Sequence, residues 1–181
     1  MSISDSPHDI IVYHGCTSLI ETIDIDRGKP YKDFGRGFYV TQDFPHARNL
    51  AIRNKRLERE RYGHECASYV YAYTFDIQKV PRLNIKEFTV ADLDWIRFIL
   101  SNRRIRERNH DYDIIIGPTA NDDTSLVLKS YFSGLYGDVE SERALTIALE
   151  MIEAENLPIQ ICFSSNSATA CLTQKGTVRK V

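Results

Sequence analysis

Apolar residues recur along this chain in short β-like runs separated by stretches with helical spacing. Residues 10–13 are a compact apolar, β-branched run and predict a buried strand that ends on His14 and Gly15. Residues 24–36, rich in Gly, Asp, Lys and Pro, read as a loop, and residues 37–41 (GFYVT) return to a strand pattern. Asp43 then stands at an N-cap with Pro45 in the following turn, and Phe44, Ala47, Leu50, Ala51 and Leu57 predict an amphipathic helix to about residue 60. Residues 69–75 are aromatic and β-branched, which predicts a strand; residues 76–88, broken by Pro81, read as irregular. Thr89, with Asp92 three residues on, resembles a capping box. The helix behind it carries Leu93, Trp95, Ile96, Ile99 and Leu100 and ends in the basic stretch 103–108.

Residues 112–116 form a further strand closed by Gly117 and Pro118. Asp122 or Asp123 caps a helix whose buried side is Leu126, Val127, Tyr131 and Phe132. Ser141 precedes another amphipathic helix over 143–152, residues 159–163 read as a strand, 167–172 as an Ala-rich turn, and Thr177 and Val178 favour β-structure. Strands and helices intermingle without strict βαβ alternation, so the expected class is α+β rather than a doubly wound sheet. No repeat, low-complexity tract or Pro/Gly/Ser linker divides the chain, and one domain over 1–181 is expected.

Composition narrows the function classes. Lys and Arg total 23 and Asp and Glu 25, a net charge of −2, which supplies no global attraction to nucleic acid or acidic membranes. No apolar run approaches the roughly 18 residues that span a bilayer, and the first ten residues lack a basic and an apolar signal region, so a cytoplasmic location and no membrane partner are expected. Cys16, Cys66, Cys162 and Cys171 match neither a metal knuckle nor a CxxC pair and read as reduced thiols, with no metal. The basic helix face over 48–61 and the cluster at 103–108 read as solvated faces carrying pairs such as Arg56–Glu60.

Two segments carry candidate chemistry. His14 at a strand end can hydrogen-bond a ligand hydroxyl, and Gly15 permits close backbone approach. In the run Phe34-Gly35-Arg36-Gly37-Phe38-Tyr39, two glycines flank an arginine directly before a strand that presents neighbouring aromatics to opposite faces. Arg36 either meets a phosphate or points to solvent. Each segment alone has a structural explanation: a satisfied histidine in the first, a tight turn into a buried strand in the second. Asp113, inside a strand pattern, reads as a structural hydrogen-bond acceptor.

Taken together, Val12-Tyr13-His14-Gly15, about twenty residues of loop, then Gly35 to Val40 followed by a helix resembles the NAD site of ADP-ribosyltransferases. The branch is that of diphtheria toxin and the poly(ADP-ribose) polymerases, with its His–Tyr–Glu triad. A closer resemblance is to a small bacterial family, domain of unknown function 3990, whose elements YHG, DFGxGFYxT, YDxxxGPxAxD and QxxF match residues 13–15, 33–41, 112–122 and 160–163.

The resemblance implies an ADP-ribosyltransferase-like split β-sheet sandwich with flanking helices. It implies NAD as substrate, with Tyr13, His14, Gly15, Phe34, Gly35, Arg36, Gly37, Phe38 and Tyr39 around it. His14 would hold a ribose, Gly15 would meet the carboxamide through its backbone, and Tyr39 would stack on nicotinamide. Gln160 stands where the branch has its glutamate. Three readings follow: transfer runs with a glutamine; a carboxylate elsewhere, with Asp122 and Asp123 as candidates, substitutes; or only NAD binding is kept. The implied reaction moves ADP-ribose to a protein or nucleic-acid acceptor. The implied role is a bacterial toxin of a toxin–antitoxin or phage-defence system, paired with a small antitoxin. The alternatives are a silent NAD or ADP-ribose binding module and an NAD glycohydrolase.

Overall fold

The computed structural model describes residues 9–63, 65–120, 122–152, 157–176 and 178–181, without the side chains of Asp122 and Asp123. Within it the strands are β1 (Ile10–Cys16), β2 (Phe38–Val40), β3 (Tyr69–Phe75), β4 (Ile85–Glu87), β5 (Ile114–Pro118), β6 (Ile159–Phe163), β7 (Leu172–Gln174) and β8 (Arg179–Lys180). The helices are α1 (Phe44–Tyr62), α2 (Leu93–Arg104), α3 (Asp122–Phe132), α4 (Glu142–Glu150) and α5 (Asn166–Thr169).

The strands form two four-stranded sheets. In the first, β3 is central, with β1 along one edge and β7 and β8 sharing the other. The second runs β2-β6-β5-β4, antiparallel except for the parallel β4–β5 pair. The sheets meet where Tyr13 and Thr41 exchange backbone hydrogen bonds of 2.7 and 3.0 Å.

Side-chain alternation sorts the core into layers. Val12, Tyr71, Tyr73 and Phe75 of the first sheet face Phe38, Val40, Ile114, Ile116, Ile161 and Phe163 of the second, and this cluster fills the space between the sheets. On the outer face of the second sheet, Ile115 and Cys162 meet Trp95, Ile96 and Ile99 of α2, Leu128 of α3, and Ala144, Leu145 and Ala148 of α4. Helix α1 covers the outer face of the first sheet through Ala47 and Ala51 on Val70. The mixed, largely antiparallel arrangement fits the expected α+β class.

Several elements follow from local chemistry. Asp43 caps α1 by accepting from the His46 N–H at 3.2 Å, and Gly63 closes that helix with φ of 70°. Ser141 caps α4 in the same way. Strands β3 and β6 have the bounds their patterns predict. Other details differ. Asp92, not Thr89, caps α2, accepting from the Trp95 N–H at 2.9 Å. Strand β5 begins at Ile114 rather than 112, because Asp113 turns aside: its N–H goes to Asn84 O and its carboxylate takes Asn84 N–H and the Ser165 hydroxyl. Asp113 is thus the structural acceptor expected.

Helix α3 is rotated from its predicted face, burying Thr124, Leu128 and Tyr131 at spacings of four and three, with Leu126 66% exposed. Leu57 is 41% exposed, since α1 buries only Ala47 and Ala51 near its start. Strand β4 and the 3-10 turn Ile77–Arg82 occupy the stretch expected to be irregular. The terminal β-structure falls on β7 and β8; Thr177 lies outside the described residues. No helix of the described residues is long and apolar enough to cross a membrane.

Candidate active site at the junction of the sheets

Past the Tyr13–Thr41 bridge, β1 and β2 part, and His14 and Tyr39 lie on the two sides of that junction. His14 Nδ1 lies 2.7 Å from the Tyr39 carbonyl oxygen, which fixes Nδ1 as the protonated nitrogen, and the imidazole stacks on Phe38 with ring centroids 4.3 Å apart. Phe38 belongs to the inter-sheet core, so His14 lies on that side.

Tyr39 takes the opposite face. It packs against the helical layer with its ring 6.4 Å from Phe34, and its hydroxyl donates to Gly35 O at 2.6 Å while accepting from the Phe34 N–H at 3.1 Å. The phenol therefore pins the loop that precedes its own strand. Gly35 has φ of +79°, and a Cβ there would stand 2.9 Å from Asn102 Oδ1, so both conformation and space call for glycine.

Gly15 answers a different contact from the one expected. A Cβ on it would lie 2.0 Å from the Ala47 carbonyl oxygen of α1. The close approach it permits is to the protein's own helix, which rests directly on β1. Tyr13, on the same face, meets Phe44 of α1 edge-on at 5.3 Å.

Gln160 opens β6. Tyr39 pairs with Cys162, two residues further along that strand, so Tyr39 and Gln160 share the helix-side face. The Gln160 amide is held: Nε2 donates to Asp33 Oδ2 at 2.8 Å. Asp33 is buried, and its Oδ2 also accepts from the Ala120 N–H at 2.9 Å. Its Oδ1 takes Nε and Nη2 of Arg103 at 2.9 and 2.6 Å. Arg103 reaches on to Ser125 of α3.

A carboxylate thus stands directly behind the glutamine, supplied by the second motif rather than by the loop after β5. The Asp122 and Asp123 side chains, proposed as the alternative acid, lie outside the described residues. Sequence reasoning quoted Asp33 within its motif and assigned it no role, and it left Arg103 in a solvated cluster. The available signal was an acid fixed beside Phe34-Gly35.

The matching segments 13–15, 33–41 and 160–163 therefore converge, and 112–122 runs beside them through β5 and the Ala120 N–H. A family model described as Protein of unknown function (DUF3990) matches residues 10–174. The chain belongs to this family. No curated protein and no solved structure matches it.

In this DUF3990 chain the site residues hold defined protonation states. Burial pushes His14 below the ordinary histidine value, against the opposing pull of the Tyr39 carbonyl, so at neutral pH its Nε2 is an acceptor. Burial drives Tyr39 well above the usual phenol range, reinforced by Cys162 and Asp33, so its hydroxyl stays a donor. Burial also pushes the Cys162 thiol up to about 12, which keeps it protonated beside Tyr39. The site offers neutral donors and acceptors on strands, with one ion pair behind them. The remaining basic face behaves as expected: Arg56 and Glu60 pair at 3.6 Å on an exposed surface.

Proposed function

We propose that this protein is an NAD-dependent ADP-ribosyltransferase with an ADP-ribosyltransferase-like split-sheet fold, acting through His14, Tyr39 and Gln160. What supports this reading is that the motifs are adjacent: His14 Nδ1 meets the Tyr39 carbonyl at 2.7 Å, and Tyr39 and Gln160 share the helix-side face of the second sheet, opposite His14. The loop held by Tyr39 borders the Tyr39–Gln160 side.

The chemistry asked of the site is modest. Nicotinamide leaves NAD as a neutral molecule from a cationic ring, and positive charge develops at the anomeric carbon of its ribose. The protein has to orient the substrate and stabilise that charge. Gln160 donates through Nε2 to Asp33, and no donor among the described residues meets its Oε1. In this reading that oxygen accepts from a ribose hydroxyl. The Asp33 carboxylate behind the amide polarises it, which raises the acceptor strength of Oε1. In this reading the negative charge that a glutamate would carry is moved back by one side chain. His14 Nε2 supplies a second acceptor for a hydroxyl, and Phe34, Gly37 and Phe38 shape the loop and strand between them.

The biological role proposed with it is a toxin acting on a protein or nucleic acid in the cytoplasm and restrained by a small antitoxin. The support for that role is the family resemblance alone.

A second reading has one observation in its favour. Arg103 neutralises Asp33 through two hydrogen bonds, so no unpaired carboxylate faces Tyr39 among the described residues. A catalytically silent module that binds NAD or ADP-ribose fits that arrangement.

Incubating purified protein with labelled NAD and cell lysate separates these cases. Transfer predicts label on a macromolecule together with nicotinamide release, both reduced roughly a hundredfold or more in a folded Gln160→Ala variant. Nicotinamide without label assigns a glycohydrolase, and saturable binding with neither product assigns the silent module. Absence of NAD binding ends the proposal.

A further inference from the structure

Arg36, Arg106 and Arg108 line one open recess of about 420 Å³ at the C-terminal end of β6, together with Asp26, Glu107 and Ser164. Sequence pattern separates these arginines into an early glycine-flanked turn and a solvated basic cluster; folding brings them together. Two of them are fixed in place without losing their charge. Arg36 Nη1 donates to the Asp26 backbone oxygen at 2.7 Å, and Arg108 Nη1 donates to the Ser164 backbone oxygen at 2.7 Å. No ion pair joins any of the three to a carboxylate among the described residues.

A carbonyl partner orients a guanidinium and leaves its remaining donors and its full charge available. Such pre-orientation lowers the ordering cost of binding an anion. A planar carboxylate is satisfied by a single arginine fork. Three separate guanidiniums suit an anion with oxygens in several directions, which is the geometry of phosphate. The volume exceeds that of one phosphate and is in the range of small-molecule sites, with Ile25 as an apolar wall for a substituent.

We infer that this recess is a binding site for a phosphate-bearing ligand of nucleotide size, recognised by Arg36, Arg106 and Arg108. The three guanidiniums outweigh the two carboxylates of Asp26 and Glu107 by one charge, and Glu107 weakens anion binding there. The site is separated from Gln160 by the length of β6. Its existence does not depend on the transferase reading.

Titration calorimetry with inorganic pyrophosphate at low ionic strength tests it. Binding should weaken as salt is raised, and by about tenfold or more in each of Arg36→Gln, Arg106→Gln and Arg108→Gln. Arg106 makes no hydrogen bond or ion pair among the described residues, so its variant reads binding without disturbing the fold. Glu107→Gln should tighten binding. Repeating the titration with saturating ADP-ribose identifies the source of the phosphate. Competition assigns the recess to the diphosphate of the dinucleotide, and independent binding assigns it to a second phosphate compound. No pyrophosphate binding by the wild type, or an affinity unchanged in all three arginine variants, overturns the inference. Neither result depends on NAD turnover.

Discussion

Asp33 collects four hydrogen bonds from Arg103, Ala120 and Gln160 while nearly out of reach of solvent. Removing it leaves a guanidinium with little solvent and no counter-charge. Asp33→Ala should therefore cost roughly 3–5 kcal/mol, read from the urea midpoint. Gln160→Glu alone places two carboxylates within hydrogen-bond distance, forcing them to share a proton, so that variant should gain stability as pH falls. Combining Asp33→Asn with Gln160→Glu restores a single charge but turns an amide NH2 toward the Ala120 N–H or toward Arg103, so only part of the lost stability should return; a double variant no better than the worse single one refutes the coupling.

Histidines set a second residue-scale dependence. Burial lowers both His14 and His110, the latter despite a Phe34 carbonyl contact. The unfolded chain binds protons near pH 6.5 where the folded one resists them, so their contribution is complete above that pH and is lost as pH falls through the lowered values. The urea midpoint should drop between pH 7.5 and 5.5, and less steeply in a His14→Gln, His110→Gln variant. His14, Tyr39 and Gln160 stood out in the sequence by their motifs, and the structure brings those segments together. The carboxylate behind Gln160 did not stand out, because its partners come from α2 and the loop after β5, and local pattern holds no record of that meeting.

Among the elements, legibility followed the strength of the local signal. Strands β3 and β6 alternate cleanly over five or more residues and were bounded correctly. Strand β4 is three half-buried residues, Ile85-Lys86-Glu87, held by parallel pairing to β5, and such an edge strand has too little pattern of its own to read. The face of α3 depended on which layer it met, and the phase from apolar residues alone picked Leu126 over Leu128. Helix α1 supplies the prediction at this scale. The Ala47 carbonyl occupies the position a Cβ on Gly15 would need, and that neighbour is helix backbone rather than a flexible side chain. Gly15→Ala should lift α1 off β1 and cost about 3 kcal/mol or more. Ala51→Gly, which removes volume at the same contact, should not rescue it; recovery would show that side-chain crowding rather than backbone is the obstacle.

For the molecule as a whole, the class came from intermingled strands and helices and the two-sheet expectation from the family resemblance, but the way the sheets join came from neither. Among the described residues one backbone bridge, Tyr13 to Thr41, links them, His14 adds its bond to the Tyr39 carbonyl, and Thr41 adds a hydroxyl bond to Ile159 O at 3.0 Å. Strands β5 and β6 are the most deeply placed, with the inter-sheet core on one face and the helical core on the other. Their amides at 114–116 and 161–163 should be the slowest to exchange with deuterium, opening only with global unfolding, while β4 and β8 at the edges exchange first.

The cysteines turn that depth into a clock. Cys162 is wholly covered and its thiol is held protonated, and Cys171 is 1% exposed, whereas Cys16 and Cys66 are half-buried. A thiol reagent should modify two sites promptly and the other two at a rate set by how often β6 and its neighbours come apart. With reagent concentrated enough to outpace reclosing, the lag between the two pairs measures the lifetime of the intact state in a native buffer, with no denaturant. A ligand held at the junction of the sheets should lengthen it.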